Sequence, residues 1–278
     1  MLKIDSHQHF WKFDPLAHAW INEEMTAIRK DFMPEDLYPL LRKSGLDGCI
    51  SVQVNENETE NNFMLTLANE NNFIKGVIGW VDFLANDVEA RLEYYTQFEI
   101  MRGFRYILQN KTPRDLMLNS AFKNSISLMA KHQFVYEILI FSDQLAYAKD
   151  LVAQFPNQIF VLNHLAKPRI KLGEIEQWRK DISALAVYEN VYCKVSGMVT
   201  EADWQNWKYQ DVEPYMDVAF NAFGTDRLMF GSDWPVCNLA ANYQQVHEIP
   251  QKYINNLSLN EQEKFWGANA VKCYQIRQ

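Results

Sequence analysis

Cysteine is scarce in this 278-residue sequence, and it is never clustered. Cys49, Cys193, Cys237 and Cys273 form no C-x-x-C pair, which excludes a zinc knuckle and a thioredoxin-like redox motif. So few thiols in a chain this long suit a reducing cytoplasm. Basic charge is also short: 27 Lys and Arg against 35 Asp and Glu leave a net charge of −8. That argues against a nucleic-acid partner, whose phosphates need a cationic surface. No apolar run approaches the length that spans a bilayer, so a membrane role is not expected. No basic patch followed by an apolar core marks a secretory signal near the start. The Asn-x-Ser/Thr triplets at Asn57, Asn110 and Asn256 are then read as chance matches. Internal repeats, low-complexity tracts and linkers are missing too, and residues 1–278 read as one domain. The sequence leaves a homo-oligomer open.

What is present alternates. Ile4-Asp5-Ser6-His7-Gln8-His9-Phe10-Trp11 reads as a strand ending in two histidines one residue apart. Further strands are expected at 49–54, 75–82, 101–107, 134–141, 159–164, 191–196 and 227–233. Most are continuous apolar runs, as buried parallel strands should be. Helices are expected at 37–44, 58–71, 88–95, 122–132, 144–155, 174–186, 213–223, 243–253 and 260–274. The first of these is opened by Pro34 and closed by Gly45. Pro250 weighs against the helix at 243–253. Eight strands separated mostly by helices, in a chain of this length, predict an α/β fold of the single (β/α)8 TIM-barrel kind. A doubly wound open sheet is second, because it usually brings a glycine-rich first turn and this first turn is His-Gln-His-Phe-Trp.

Such barrels carry their chemistry at the C-terminal ends of the strands. His7 and His9 end the first strand, and residues i and i+2 share a face. His164 ends the sixth strand and Asp233 the eighth. Each has a plainer explanation: His164 as a hydrogen-bonded core histidine, Asp233 as a cap or turn former. Four such groups converging on one rim point instead to a site.

His-x-His on strand one, Asn163-His164-Leu165-Ala166-Lys167-Pro168, Lys194-Val195-Ser196-Gly197-Met198 and Gly231-Ser232-Asp233-Trp234-Pro235 together resemble the amidohydrolase superfamily. Within it they resemble the branch of lactone hydrolases that includes L-fuconolactonases, L-rhamnonolactonases and 2-pyrone-4,6-dicarboxylate lactonases. The resemblance implies a metal-dependent-hydrolase type of barrel and water attack on a cyclic ester, with a small-molecule lactone as partner. Two departures stand out. Many amidohydrolases bridge two metals with a carboxylated lysine on strand four, where this chain has Arg102, Arg105 and Tyr106. Many also end strand five in histidine, where this chain reads Ile140-Phe141-Ser142. A binuclear centre is therefore not expected. One zinc ion held by His7, His9 and Asp233, with or without His164, fits by ligand type; a metal-free site also stays open.

The chemistry follows from residue types. A lactone needs an activated water and a stabilised oxyanion. Asp233 is the expected general base, with His164 beside it as the second catalytic group. The imidazoles, or a metal they hold, would polarise the carbonyl. No G-x-S-x-G elbow offers a serine nucleophile. Trp11, Trp80, Asp82, Lys194 and Trp234 are the expected substrate contacts, the tryptophans as stacking faces for a sugar ring. Arg102 and Arg105 lie in opposite phases, so at most one should face the pocket. With so few arginines at the rim, a sugar lactone is favoured over a dicarboxylate lactone; a metal-dependent decarboxylase on the same scaffold is the other alternative, and metal content discriminates it.

Overall fold

The strand runs do form strands, and they assemble in chain order. A computed structural model describes residues 1–277. Its eight strands are β1 (Ile4–Gln8), β2 (Gly48–Val52), β3 (Ile74–Gly79), β4 (Met101–Ile107), β5 (Val135–Leu139), β6 (Phe160–Leu162), β7 (Val191–Val195) and β8 (Leu228–Phe230). Each pairs in parallel with the next. The ends meet where Gln8 bridges Trp234, the Asp233 N–H donates to the His7 carbonyl at 2.8 Å, and the His9 N–H donates to the Trp234 carbonyl at 2.8 Å. This is the expected (β/α)8 barrel.

Helices α1 (Pro34–Lys43), α2 (Glu58–Glu70), α3 (Val88–Tyr95), α4 (Ser120–Lys131), α5 (Leu145–Val152), α6 (Glu176–Ala186), the short α7 (Met198–Glu201), α8 (Tyr209–Phe223), α9 (Tyr243–Ile254), α10 (Leu259–Glu263) and α11 (Asn269–Cys273) follow the strands. α2 begins where the Asn57 side chain accepts the Glu60 N–H, a local bond that fixes a helix start. α9 runs straight through Pro250. A proline removes only one backbone donor, and the buried Val246, Ile249 and Ile254 hold the rest of that helix in place. The segment expected as one helix at 260–274 is α10 and α11 joined by a π-helical turn over Lys264–Ala268. Among the described residues no helix is long and apolar enough to cross a membrane.

The barrel interior has two levels. Ile4, Ile50, Val52, Ile78, Val135, Val161, Tyr192 and Met229 pack with Ala270, Cys273, Tyr274 and Ile276, so α11 and the residues after it plug the lower end. Each such side chain contributes about 1.5–3 kcal/mol when fully buried. Above them lies a polar level. Lys194 of β7 reaches Glu137 of β5, and Arg105 of β4 reaches Gln53, just past β2. These bonds skip intervening strands, so they cross the interior. The apolar lower level supplies stability, and the upper level is left to charge.

Candidate functional site

The four groups expected at the rim do meet. The His7 and His9 rings lie 4.9 Å apart between centroids, and His7 and His164 lie 4.3 Å apart. All three Nε2 atoms face Asp233 Oδ1: His9 at 3.4 Å, His7 and His164 at 3.8 Å. None of the four is more than 5% exposed. His164 and Asp233 lie just beyond strands that stop earlier than expected, at Leu162 and Phe230. Both have left-handed backbones, φ 51° and 57°. Leu165, Ala166 and Lys167 continue the left-handed run. Each such residue costs roughly 1–2 kcal/mol when it is not glycine, and strain of this kind gathers at functional sites. Nothing in the residues 163–168 announces it, since no glycine is present. Two glycines make room for the rings. A Cβ on Gly231 would lie 2.7 Å from His7 Cβ, and one on Gly197, itself at φ 65°, would lie 2.7 Å from His164 Nδ1.

Burial sets the protonation states. It pushes His7 well below the usual imidazole range, with Lys194 beside it adding to the effect. It lowers His9 against the pull of Asp233, and takes His164 down to about 3. Burial alone would raise Asp233; His164 and His9 outweigh it and hold that carboxyl below the usual range. At neutral pH the cluster is therefore neutral imidazoles around a carboxylate. His9 Nδ1 lies 2.7 Å from the Val52 carbonyl, which can only accept. The His9 proton is therefore on Nδ1, and Nε2 presents a lone pair to Asp233 Oδ1. Two acceptors facing each other at 3.4 Å call for a proton donor or a cation between them.

The site rests on a buried ionic floor that the sequence reading mostly missed. Glu137 Oε1 accepts from Lys194 Nζ and from the Tyr274 hydroxyl, both at 2.6 Å, and Oε2 accepts from Asn163 Nδ2 at 2.8 Å. Arg105 Nη1 donates to Asn163 Oδ1 at 3.2 Å and lies 3.3 Å from His7 Nε2. Of the two arginines in opposite phases, then, Arg105 faces inward. A lone glutamate in the apolar run Val135-Tyr136-Glu137-Ile138-Leu139 was the available signal. Asp5, also unforeseen, accepts from the Ser232 N–H, the His7 N–H and the Tyr243 hydroxyl. It ties β1 to the turn that carries Asp233, and burial raises its pKa to about 6.

The expected substrate contacts scatter. Trp11 is 2% exposed and donates its indole N–H to the Lys30 carbonyl; Trp234, also 2% exposed, packs edge-on against Phe10 and Phe32. Both indoles hold the 10–32 loop to the barrel instead of facing open space; Trp234 directly follows Asp233 and turns to the opposite side, whereas Trp11 lies past the end of β1, where it pairs with Phe32. Lys194 lies beneath His7, fully buried. Trp80 and Asp82 are half-buried at the mouth. The Trp80 indole N–H is buried without a partner among the described residues, whereas Asp82 accepts the Leu84 N–H. A cavity of about 850 Å³ is formed by the loops after β4, β5, β6 and β7 and by the first turns of α6; it is lined from Lys167 onward in the segment that carries His164, not by the four rim groups themselves. Lys167 and Glu201 line it: Lys167 helps to hold the Asp233 carboxyl low through its charge, and Asp233 adds to the rise that burial imposes on Glu201.

Metal-ligating capacity is present once. Ligand atoms of His7, His164 and Asp233 lie within 4.8 Å of one another, the one such group among the described residues. His164 thus joins this group in place of His9. Neutral imidazoles with a carboxylate suit one divalent ion of the zinc type. β4 offers no lysine and β5 no histidine for a second.

The sequence profile of the amidohydrolase family matches residues 4–276. The chain belongs to the amidohydrolase family. As an amidohydrolase it is a hydrolytic enzyme, and its relatives sharpen the picture. An L-fucono-1,5-lactonase of Burkholderia multivorans is 34% identical over 286 aligned residues, spanning 99% of this chain and 96% of that protein. An L-fucono-1,5-lactonase of Burkholderia ambifaria is also 34% identical, over 278 residues and with the same coverage. A crystal structure of a Burkholderia multivorans amidohydrolase with bound zinc superposes with a TM-score of 0.96 at 34% identity over the whole of both chains.

Proposed function

We propose that this amidohydrolase opens the ring of a sugar-acid lactone, of the L-fuconolactone kind, by water attack on the ester carbonyl. The observation that carries the reading is the 3.4 Å gap between the His9 Nε2 lone pair and the Asp233 carboxylate, ringed by His7 and His164. A water beside that pair donates a proton to Asp233 Oδ1, which raises its nucleophilicity. The 34% identity over nearly the full length of two L-fucono-1,5-lactonases supports the substrate class.

Asp233 takes the water's proton as its oxygen bonds to the carbonyl carbon. The tetrahedral oxyanion then collapses, the ring C–O bond breaks, and Asp233 returns the proton to the leaving alkoxide. A neutral imidazole with its proton on Nε2 can donate to the carbonyl oxygen as charge develops. A divalent ion held by His7, His164 and Asp233 would supply Lewis-acid polarisation of the same carbonyl. Zinc is the natural candidate by donor set and by the zinc-bound structure at 34% identity.

The test is acid release from L-fucono-, L-rhamnono-, D-galactono- and D-gluconolactone, with Asp233→Asn beside wild type. We expect hydrolysis by wild type and a loss of about 10²–10⁴-fold in kcat/KM in the variant, the range for a lost general base. No hydrolysis above background would overturn the lactonase reading and favour a decarboxylase or a dicarboxylate lactonase. Hydrolysis that survives Asp233→Asn would overturn the role of Asp233. Elemental analysis of the purified protein reads the metal independently.

A further inference from the structure

The 850 Å³ cavity has the size of a small-molecule site. Its walls carry an unusual pattern: three cations, each paired with a wall carboxylate. Arg114 meets Asp143 at 2.6 Å, Lys167 meets Glu201 at 3.4 Å and Arg169 meets Glu174 at 3.3 Å. No wall cation is left over for a ligand's own negative charge. A dicarboxylate would have to displace a pair, whereas a hydroxyl can accept from one member and donate to the other. Between the pairs lies the partly exposed ring of Phe141. Arg114 and Lys167 stand 5.9 and 5.7 Å from its centroid, an apolar platform with polar groups around it. Paired charges around an aromatic face suit a neutral polyol.

Position adds a second argument. The Lys167–Glu201 pair is the most buried of the three, with side chains only 21% and 22% exposed. It is also the pair whose charges are felt with that of Asp233: Lys167 lowers the Asp233 carboxyl, and Asp233 raises Glu201. Lys167 ends the left-handed run that begins at His164, so one strained turn places both the catalytic imidazole and the wall ammonium. Resting on the lactonase reading, we infer that this cavity is the subsite for the hydroxyl-bearing part of the lactone, with Phe141 as its platform and the Lys167–Glu201 pair as its specificity determinant.

The experiment compares wild type with Phe141→Ala and Glu201→Gln on the best sugar lactone of the panel and on δ-valerolactone, which has a ring ester and no hydroxyls. We expect KM for the sugar lactone to rise about tenfold in each variant, the worth of one hydrogen bond or stacking contact, with kcat changed much less. The preference for the sugar lactone over δ-valerolactone should narrow by about the same factor, and Phe141→Tyr should restore it. Sugar-lactone kinetics within twofold of wild type in both variants would overturn the subsite, as would an equal fall on both substrates, which would mark an effect on the chemistry alone. Inactivity of wild type on every lactone would instead sink the lactonase reading. Calorimetric titration with L-fucose then reads the cavity by itself: binding weakened by Phe141→Ala supports the subsite, and no binding or unchanged binding overturns it.

Discussion

Lys194 meets Glu137 at 2.6 Å in the barrel interior, and Arg114 meets Asp143 at 2.6 Å on the wall of the mouth. The first pair is fully buried; in the second the side chains are 34% and 60% exposed. Equal distance does not mean equal consequence. In the floor, water cannot replace a lost partner, so each charge depends wholly on the other. At the mouth, water solvates whatever the partner leaves behind. The floor is thus a fixed platform that holds His7 between Lys194 and Arg105, while the mouth keeps polar groups available to a ligand. The largest test of this contrast is Glu137→Leu, which strands Lys194 without its anion and takes from Arg105 one of the carboxylates that act on it. We expect a loss of about 3–5 kcal/mol in unfolding free energy, read by urea denaturation. Replacing both partners, as Glu137→Leu with Lys194→Met, should recover part of it. A loss under about 1 kcal/mol would mean that water enters the floor, and the contrast would fail.

Acidification probes the layer between the two regions. His7, His9, His164 and His247 are all held neutral by burial, the last two with values of about 3 and 4. Unfolding releases them to protonate below their ordinary value, so their contribution is full above pH 6.5 and is lost as pH falls. Asp5 and Glu60 act the other way, because burial raises them to about 6 and about 7. They bind protons in the folded state first, and so add stability on acidification towards their ordinary values. Glu201 is raised by burial as well, so four histidines against three carboxyls leave the histidines ahead by about one proton. Stability should fall between pH 6.5 and 5 by roughly 1.4 kcal/mol per pH unit. Urea midpoints at pH 7.5, 6.5, 5.5 and 5.0 would show it, and a flat or rising series would mean that the carboxyls dominate.

Gly197→Ala sharpens the contrast from the side of the strained turn. Alanine at φ 65° costs about 1–2 kcal/mol, and its Cβ would press on His164 Nδ1. We expect that loss in stability together with a drop in kcat that exceeds the change in KM, since His164 moves and the cavity does not. Unchanged kcat would show that the His164 ring has slack.

The sequence disclosed the barrel and the four groups at its rim for one reason: period and strand ends are local signals. Two histidines at i and i+2 share a face in any strand, and apolar runs mark strands whatever surrounds them. Depth is not local. Phase put Lys194 on the inner face, yet could not say that it lies fully buried under His7. Trp234 follows Asp233 directly, and that adjacency turned it outward against the 10–32 loop, while Trp11 lies beyond β1 in the loop itself. The strained turn from His164 to Lys167 was illegible because tertiary packing imposes it; the Trp178 indole, donating to the Leu165 carbonyl at 2.7 Å, arrives from another element. Glu137 was visible as an oddity in an apolar strand, but its three donors come from the residue after β6, from β7 and from the residue after α11.

The smallest expected effect is at the mouth, and it bears most directly on how the two regions differ. Asp143→Asn removes one partner of a pair with the same 2.6 Å separation as the floor pair. Here the Arg114 guanidinium keeps its contact with the Gln109 carbonyl and with solvent. The change in stability should therefore be about 0–1 kcal/mol, and smaller still at high salt, where exposed charges are screened. Urea denaturation in low and high salt, run beside Glu137→Leu, makes the comparison internal to one fold. If Asp143→Asn costs as much as the floor variant, and salt does not reduce the loss, then the mouth is as dry as the interior. The wall carboxylates would then be structural supports, and ligand hydroxyls would have to be sought by Trp80 and the loops after β2 and β3 instead.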